Sequence, residues 1–293
     1  MPVEAAVTLN LLDESFHPSD TRSYGLAVVL DSDRISACVL DFVRNRFLGV
    51  VQAEASGDPA AMTPGHYGHL LEAFFMALPW LKNPFKMVKV AWAGQRSTLI
   101  PASLFREEDA QLYLDFGFPK EPDERTGADL LEPVGAWNVF GVPGPVSEAA
   151  AVAFPGTRIV HLSSLLIESV WNSCRTRVAG RQLFLHMRPG CIDLVMFDGR
   201  RLEYFNTFAC VNAEEAAYYL IFVMEQLEAD PGEVPVILSG GATPFQDLHE
   251  LLGSYVANLT TARRNDAYAY SPVFARLREE ENYPLMNSFS CAL

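Results

Sequence analysis

Apolar and polar positions alternate along this chain in a way that predicts its elements in order. Leu26-Ala27-Val28-Val29-Leu30 is a continuous apolar run of strand length, Asp31-Ser32-Asp33 is a turn, and Ile35 to Leu40 is a second run, so a hairpin is expected. A third strand, Phe47 to Ala53, precedes a Gly/Pro-rich loop and a helix with Leu70, Leu71, Phe74, Phe75 and Leu78 at helical spacing. A short strand, Met87 to Ala91, follows, and Pro101 opens a helical stretch, Ala102 to Phe116, whose Glu107, Glu108 and Asp109 sit near the positive end of the helix dipole. The same order returns about 157 positions later: strands Leu183 to Met187, Ile192 to Phe197 and Leu202 to Phe208. Asn212 caps a helix from Ala213 to Glu228, whose apolar face is assigned to Tyr218, Tyr219, Phe222, Val223 and Leu227 and read as core. Then come a strand, Val234 to Leu238, Ser239-Gly240-Gly241, and a helix from Pro244 to Leu252.

Both halves therefore read βββαβα, without residue identity between them. Between them the pattern predicts a strand at Asn138 to Val142, a short helix at Ala149 to Ala153, a strand at Arg158 to His161 and a helix from Ser163 to Cys174 capped by Ser163. The acidic, turn-rich Pro119 to Leu131 is expected to be a surface loop, and Thr176 to Arg181 a hinge. This divides the chain into residues 1–177, a first lobe with an N-terminal extension, and 178–293, a second lobe with a C-terminal tail.

Composition narrows the function classes. With 293 residues, 49% of them hydrophobic, the chain has enough apolar surface for about two packed domains and is not mainly disordered. Its 22 basic and 36 acidic side chains leave a net charge of −14, which repels phosphate backbones, so no nucleic-acid partner is expected. Glu4, Asp13, Glu14 and Asp20 break the pattern of a secretory signal, and apolar runs such as Ala216 to Met224 fall short of the ~20 residues that span a bilayer. A cytoplasmic protein without membrane insertion is expected. The five scattered cysteines suit neither a disulfide framework nor a zinc site. His66 and His69 are spaced like metal ligands but lack a third, and His161 near Ser163 and Ser164 lacks a Gly-x-Ser-x-Gly elbow.

Two tandem βββαβα units, the second ending in a strand that runs into Gly240-Gly241, resemble the actin-like ATPase superfamily over about Gly25 to Leu259. The resemblance implies an α/β actin-like ATPase fold, two RNase H-like domains with mixed sheets. Val236-Ile237-Leu238-Ser239-Gly240-Gly241-Ala242-Thr243 is similar to the superfamily's adenosine motif, where a side-chain-free turn lets backbone approach a nucleotide. Ser97 to Pro101, Leu104-Phe105, Ala136 to Phe140 and Ala217 to Leu220 more narrowly resemble an uncharacterised bacterial family of this fold, with pilus-assembly and secretion proteins as more distant relatives.

The resemblance implies a nucleotide cleft, ATP with magnesium, at Asp31, Ser32, Arg188, Gly190, Ser239, Gly240, Gly241 and Thr243. The chain departs from it at both phosphate turns. Asp31-Ser32-Asp33-Arg34 has a carboxylate where the superfamily pattern has a glycine. His186-Met187-Arg188-Pro189-Gly190 has Arg188 and Pro189 in place of a second Asp and its glycines, and Pro189 has no N–H to offer. Arg188 retains the geometry to fork onto a phosphate. The expectation is a non-catalytic scaffold that binds another protein. The alternative is an ATP-binding protein with weak or switch-like turnover, in which Gly240→Val should abolish binding and leave the melting temperature of the apo protein little changed. A small-molecule kinase ranks behind both.

Overall fold

The computed structural model describes residues 5–55, 67–174, 180–241, 245 and 247–293. Its first sheet is built on β1 (Ala5–Leu12), β2 (Tyr24–Leu30), β3 (Arg34–Asp41), β4 (Arg46–Ala55), α1 (Tyr67–Ala77) and β5 (Met87–Trp92). An excursion follows: β6 (Ser97–Pro101), α2 (Ala110–Gly117), β7 (Glu124–Leu131) and β8 (Ala136–Pro143), a separate three-stranded sheet in the order β6-β8-β7. The chain returns through α3 (Gly144–Ala153), β9 (Ile159–His161) and α4 (Leu162–Cys174). The second half comprises β10 (Arg181–Arg188), β11 (Cys191–Asp198), β12 (Arg201–Ala209), α5 (Ala213–Gln226), β13 (Val236–Gly240), α6 (Leu248–Leu252) and β14 (Leu259–Thr261), followed by β15 (Ala269–Tyr270) and α7 (Tyr283–Asn287).

Strand order makes the internal repeat explicit. The first sheet runs β4-β3-β2-β5-β9 and the second β12-β11-β10-β13-β14, so each half places its strands in the order 3-2-1-4-5. In each the first three strands are antiparallel and the fourth joins the first in parallel. A parallel neighbour needs a crossover, which α1 and α5 supply. Asn212 does cap α5, its Oδ1 accepting from the Glu215 N–H at 2.8 Å.

Five layers of packing follow. α1 and α3 cover one face of the first sheet through Leu70, Phe74 and Val146, and α5 and α6 cover the outer face of the second through Leu220, Val223 and Leu248. α4 lies between the sheets. Its Leu165 meets Ala91 and Val160 of the first, while Leu166, Ile167 and Val170 meet Phe184, Val195 and Phe197 of the second. Phe274, Leu285 and Met286 of the tail pack against Cys38, Leu40 and Phe47 on the remaining face of the first sheet, and β15 pairs with β4. The tail after β14 thus folds back onto the first half of the molecule, and each fully buried Leu or Phe there contributes about 1.5–3 kcal/mol.

Several expectations are corrected. Pro119 to Leu131 is not a loop throughout: Glu124–Leu131 is strand β7, paired along its length with β8. The expected helix Ala102 to Phe116 begins only at Ala110. Ser163 lies inside α4, buried, rather than capping it. Tyr218 and Phe222 are 64% and 42% exposed rather than core. β1, which pairs with β4, was not anticipated. The loop before α1 with His66, most of the expected hinge at Thr176 to Arg181, and Pro244 lie outside the described residues.

Candidate functional site

The two hairpin turns, one from each half, meet across a cleft beside the Gly240-Gly241 turn. In the first, the Asp31 N–H closes the hairpin on the Arg34 carbonyl at 2.8 Å. The Asp31 carboxylate accepts from the Ser32 N–H at 2.7 Å, so it caps its own turn. Arg34 pairs with Glu54, its register partner on β4, at 2.8 Å. Asp33 Oδ1 is buried with no hydrogen-bond partner among the described residues. Burial pushes the Asp31 carboxyl above the usual carboxylate range, and Arg188 across the cleft only partly offsets this.

The second turn is closed electrostatically. Arg188 and Asp193 are both buried, and the guanidinium forks onto the carboxylate, Nε to Oδ2 at 2.7 Å and Nη2 to Oδ1 at 2.9 Å. Nη1 donates to the Ala93 carbonyl at 2.5 Å and Nη2 lies 3.5 Å from that of Gly94, so this arginine also ties the second half to the end of β5 in the first. Thr207 donates to Asp193 at 2.7 Å. Burial acts to raise the Asp193 carboxyl, but Arg188 outweighs it and holds the group below the usual range. Burial likewise opposes charge on Arg188, and Asp193 outweighs it in turn. Gly190 adopts φ +73° at the turn, and its carbonyl accepts from Cys210 N.

At the Gly-Gly turn, Ser239 is buried with its hydroxyl 3.0 Å from His186 Nδ1, and burial brings that imidazole down to about 4. Gly240 has φ +79°, and a Cβ there would lie 2.2 Å from the Met187 carbonyl oxygen, so only glycine fits. Its N–H donates to the Glu280 carbonyl at 2.8 Å. A Cβ on Gly241 would meet Arg278 and Glu281. The tail therefore sits on the turn that resembles the adenosine motif. It is anchored onward: Gln52 donates to the Asn282 side chain at 2.8 Å, Lys89 Nζ donates to the Ser288 and Cys291 carbonyls at 2.9 and 2.8 Å, and Ala292 N donates to Glu168 at 2.8 Å.

Of the sequence-predicted residues, Asp31, Arg188, Gly240 and Gly241 converge on one cavity of about 80 Å³, with Asn282, Pro284 and Leu285 of the tail in its wall. Ser32 is exposed, Ser239 faces His186, and Gly190 does not line the cavity. Thr243 lies outside the described residues. A second cavity of about 520 Å³ opens beside Gly241, lined by Arg34, Phe245, His249 and Arg278 together with Glu280 and Glu281. It is wide enough for a nucleoside, and its two arginines, Arg34 and Arg278, are paired with Glu54 and with Glu280 and Glu281. Small-molecule sites span roughly 300–1,000 Å³, the Gly240 N–H is taken, Pro189 has none, and the fork of Arg188 is closed by Asp193. Among the described residues no group of three His, Cys, Asp or Glu side chains is placed to hold a metal. At these two turns, then, the Gly240 N–H and the Arg188 guanidinium, which the resemblance would turn toward ATP, are already engaged within the protein. The same contacts overturn the expectation for Gly240→Val, which must disturb the fold itself.

The sequence reading missed the Arg188–Asp193 pair and the seat of the tail. The first had a signal: a Pro189-Gly190 turn sets Arg188 opposite Cys191, which makes Asp193 its diagonal neighbour on the same face. The His161, Ser163 and Ser164 cluster is a sealed polar knot. Ser163 Oγ lies 2.6 Å from His161 Nδ1 and accepts from Asn138 at 2.9 Å, Ser164 donates to Asp129 at 2.7 Å, and His161 Nε2 lies 3.1 Å from the Gly94 carbonyl. Burial brings His161 down to about 3, and Ser163 is 1% exposed, so no substrate reaches it.

The comparisons agree with this fold. A Bacteroides thetaiotaomicron protein with actin-like ATPase fold and unknown function superposes with TM-score 0.79 at 21% identity, covering 94% of this chain and 99% of that one. A chain of the PilM–PilN type IV pilus biogenesis complex superposes with TM-score 0.59 at 12% identity, covering 90% and 97%. No curated protein matches the chain. The actin-like ATPase fold is thereby established, and the family model for a protein of unknown function, DUF3822, matches residues 13–259. The chain belongs to the DUF3822 family.

Proposed function

We propose that this protein is a non-catalytic actin-like body that serves as a scaffold for another protein in the cytoplasm. The observation that carries this reading is the closed fork of Arg188 on Asp193, which uses the cleft's one buried guanidinium, among the described residues, to join the two halves instead of presenting it to a phosphate. The tail's hold on the Gly240 N–H supports it. So does the fold neighbour from the PilM–PilN complex, a chain of the same architecture that assembles with another protein. No helix among the described residues is long and apolar enough to cross a membrane.

The test is a thermal-shift titration with ATP, ADP and a non-hydrolysable analogue, with and without magnesium, beside a phosphate-release assay. A ligand held 100-fold above its Kd stabilises the native state by about 2.7 kcal/mol, so nucleotide at about 1 mM reveals any site with a Kd of about 10 µM or tighter. No shift and no turnover above an Asp31→Asn control are expected. The competing reading, an ATP-responsive switch, is favoured by the cavity of about 520 Å³ beside Gly241. It requires the tail to release Gly240, and a magnesium-dependent shift would establish it.

A further inference from the structure

Outside the cleft, the second lobe carries an apolar groove whose floor, Ala217, Ile221 and Leu251, rests on its core and whose aromatic rim is open. It lies between α5 and α6, measures about 460 Å³, and is lined by Glu214, Tyr218, Ile221, Phe222, Leu251 and Tyr255. Tyr218, Phe222 and Tyr255 are 64%, 42% and 58% exposed. Tyr218 and Phe222, one helical turn apart, stack with ring centroids 6.1 Å apart and planes 17° from parallel, and Tyr218 meets Tyr219 edge-on. Tyr219 is itself stacked on Phe208 of β12 at 4.6 Å, so the exposed pair stands on a fixed base. Rigid aromatic rings clustered in a groove are what a binding surface uses as anchors, because they bury large area at little entropic cost.

Charge identifies the occupant. From Leu202 to Ala262 the chain has nine acidic residues and no Lys or Arg. Glu214 and Glu225 lie toward opposite ends of the groove's α5 wall, eleven positions and so about 16 Å apart at the helical rise, or about three turns of a docked helix. A second copy of this chain is a poor match: its exposed apolar pair Leu112 and Phe116 lies on α2 beside Asp109 and Asp115, and each copy carries a net charge of −14.

We propose that the α5–α6 groove docks an amphipathic helix of a partner protein, with apolar side chains entering over Tyr218, Phe222 and Tyr255 and Lys or Arg residues facing Glu214 and Glu225. This deepens the scaffold reading and rests on it.

The probe is a displayed library of 16-residue peptides selected against the full chain, with selected peptides then measured by fluorescence anisotropy at two salt concentrations. Enriched sequences should carry apolar residues at i, i+3 or i+4 and i+7 with at least two Lys or Arg. Tyr218→Ala with Phe222→Ala should weaken them at least tenfold and Glu214→Lys with Glu225→Lys at least threefold, both variants melting as the parent does. Glu107→Lys with Glu108→Lys, on the first lobe, should change nothing. Neutral or acidic peptides, or equal weakening by the Glu107/Glu108 variant, overturn the groove. So does concentration-dependent self-association abolished by Tyr218→Ala, which gives the groove to a second copy. Phosphate release from ATP on the same protein overturns the scaffold reading whatever the peptides do, while failure of the peptides with no turnover removes the groove alone.

Discussion

The two cleft turns occupy equivalent places in their sheets, each joining the first and second strands of a 3-2-1-4-5 order, yet they treat charge in opposite ways. In the second turn a buried cation and a buried carboxylate satisfy one another, and the cation's remaining donors reach carbonyls of the other half. In the first turn Asp31 is held by its own turn and by Arg188 and Arg34 at a distance, and Asp33 Oδ1 is left without a partner among the described residues. One fold position can thus serve as a structural rivet in one half and stay unfinished in the other. The difference teaches that a buried charge at this position is kept ionised where an opposite charge forks onto it, as at Asp193, and is pushed toward its neutral form where none does, as at Asp31.

The largest break in this comparison is Arg188→Ala. It leaves Asp193 buried without its partner and the Ala93 carbonyl without its donor, and removal of one member of a buried pair costs about 3–5 kcal/mol. The melting temperature should fall by roughly 6 °C or more, at about 2–4 °C per kcal/mol for chains approaching this size. Lysine in its place should recover only part of this, because an ammonium cannot reproduce the fork. A lysine variant as stable as the parent would show that the fork is not what joins the halves.

Next comes Gly240→Ala, expected to cost about 2–3 kcal/mol from the φ of +79° and the close Met187 carbonyl. Gly241→Ala is its control, because a Cβ there meets only the flexible end of Arg278 at 3.3 Å and Glu281 at 3.5 Å. A scan of both variants by thermal melt separates a backbone requirement from a ligand requirement at the same motif.

A smaller effect is carried by pH. The His161 and His186 imidazoles titrate at about 3 and about 4 in the fold, below their ordinary 6.5, because burial disfavours the charged form. The unfolded chain therefore binds protons first: their contribution is complete above pH 6.5 and is lost as pH falls towards about 4 for His186 and about 3 for His161, at about 1.4 kcal/mol per pH unit for each ring. Asp193, held low, keeps its contribution until pH falls below the ordinary carboxylate value. The raised carboxyls of Asp31, Asp129 and Glu168 act with the opposite sign, so the test is a difference: the gap in melting temperature between the parent and His186→Asn should shrink as pH falls from 7 to 5.

What was legible in the sequence was whatever depends on apolar periodicity alone. Both sheets, α1, α5 and the Asn212 cap follow from runs such as Leu26 to Leu30 and from one capping side chain. What was not legible depends on partners distant in sequence. β7 reads as a loop because it carries Glu124, Arg125 and the fully buried Asp129, whose polarity is answered by Ser164, His161 N and Arg158 from elsewhere. β1 alternates Val7, Leu9 and Leu11 with polar residues, a strand signal, but becomes an edge strand only through β4. Among candidate site residues, the sequence placed Asp31, Arg188 and Gly240 near one another through the fold. It could not show that Glu280, some forty residues after Gly240, accepts the N–H the motif was thought to offer.

The smallest expected effect is the sharpest test of the unfinished first turn. Asp31→Asn keeps the oxygen that accepts from Ser32 N and removes only the charge. Burial raises this carboxyl in the fold, so at pH 7 the ionised group opposes folding, and that opposition is relieved only as pH falls through its raised value towards the ordinary one. The amide should therefore leave stability at pH 7 unchanged or raise it by up to about 1 kcal/mol, and should abolish the part of the acid-side recovery that Asp31 supplies. Arg188 pulls the other way, since its attraction for Asp31 is lost as well. A loss of 2 kcal/mol or more in a melt at pH 7 would mean that attraction dominates, and the two turns would then form a single electrostatic unit closing the cleft from both sides.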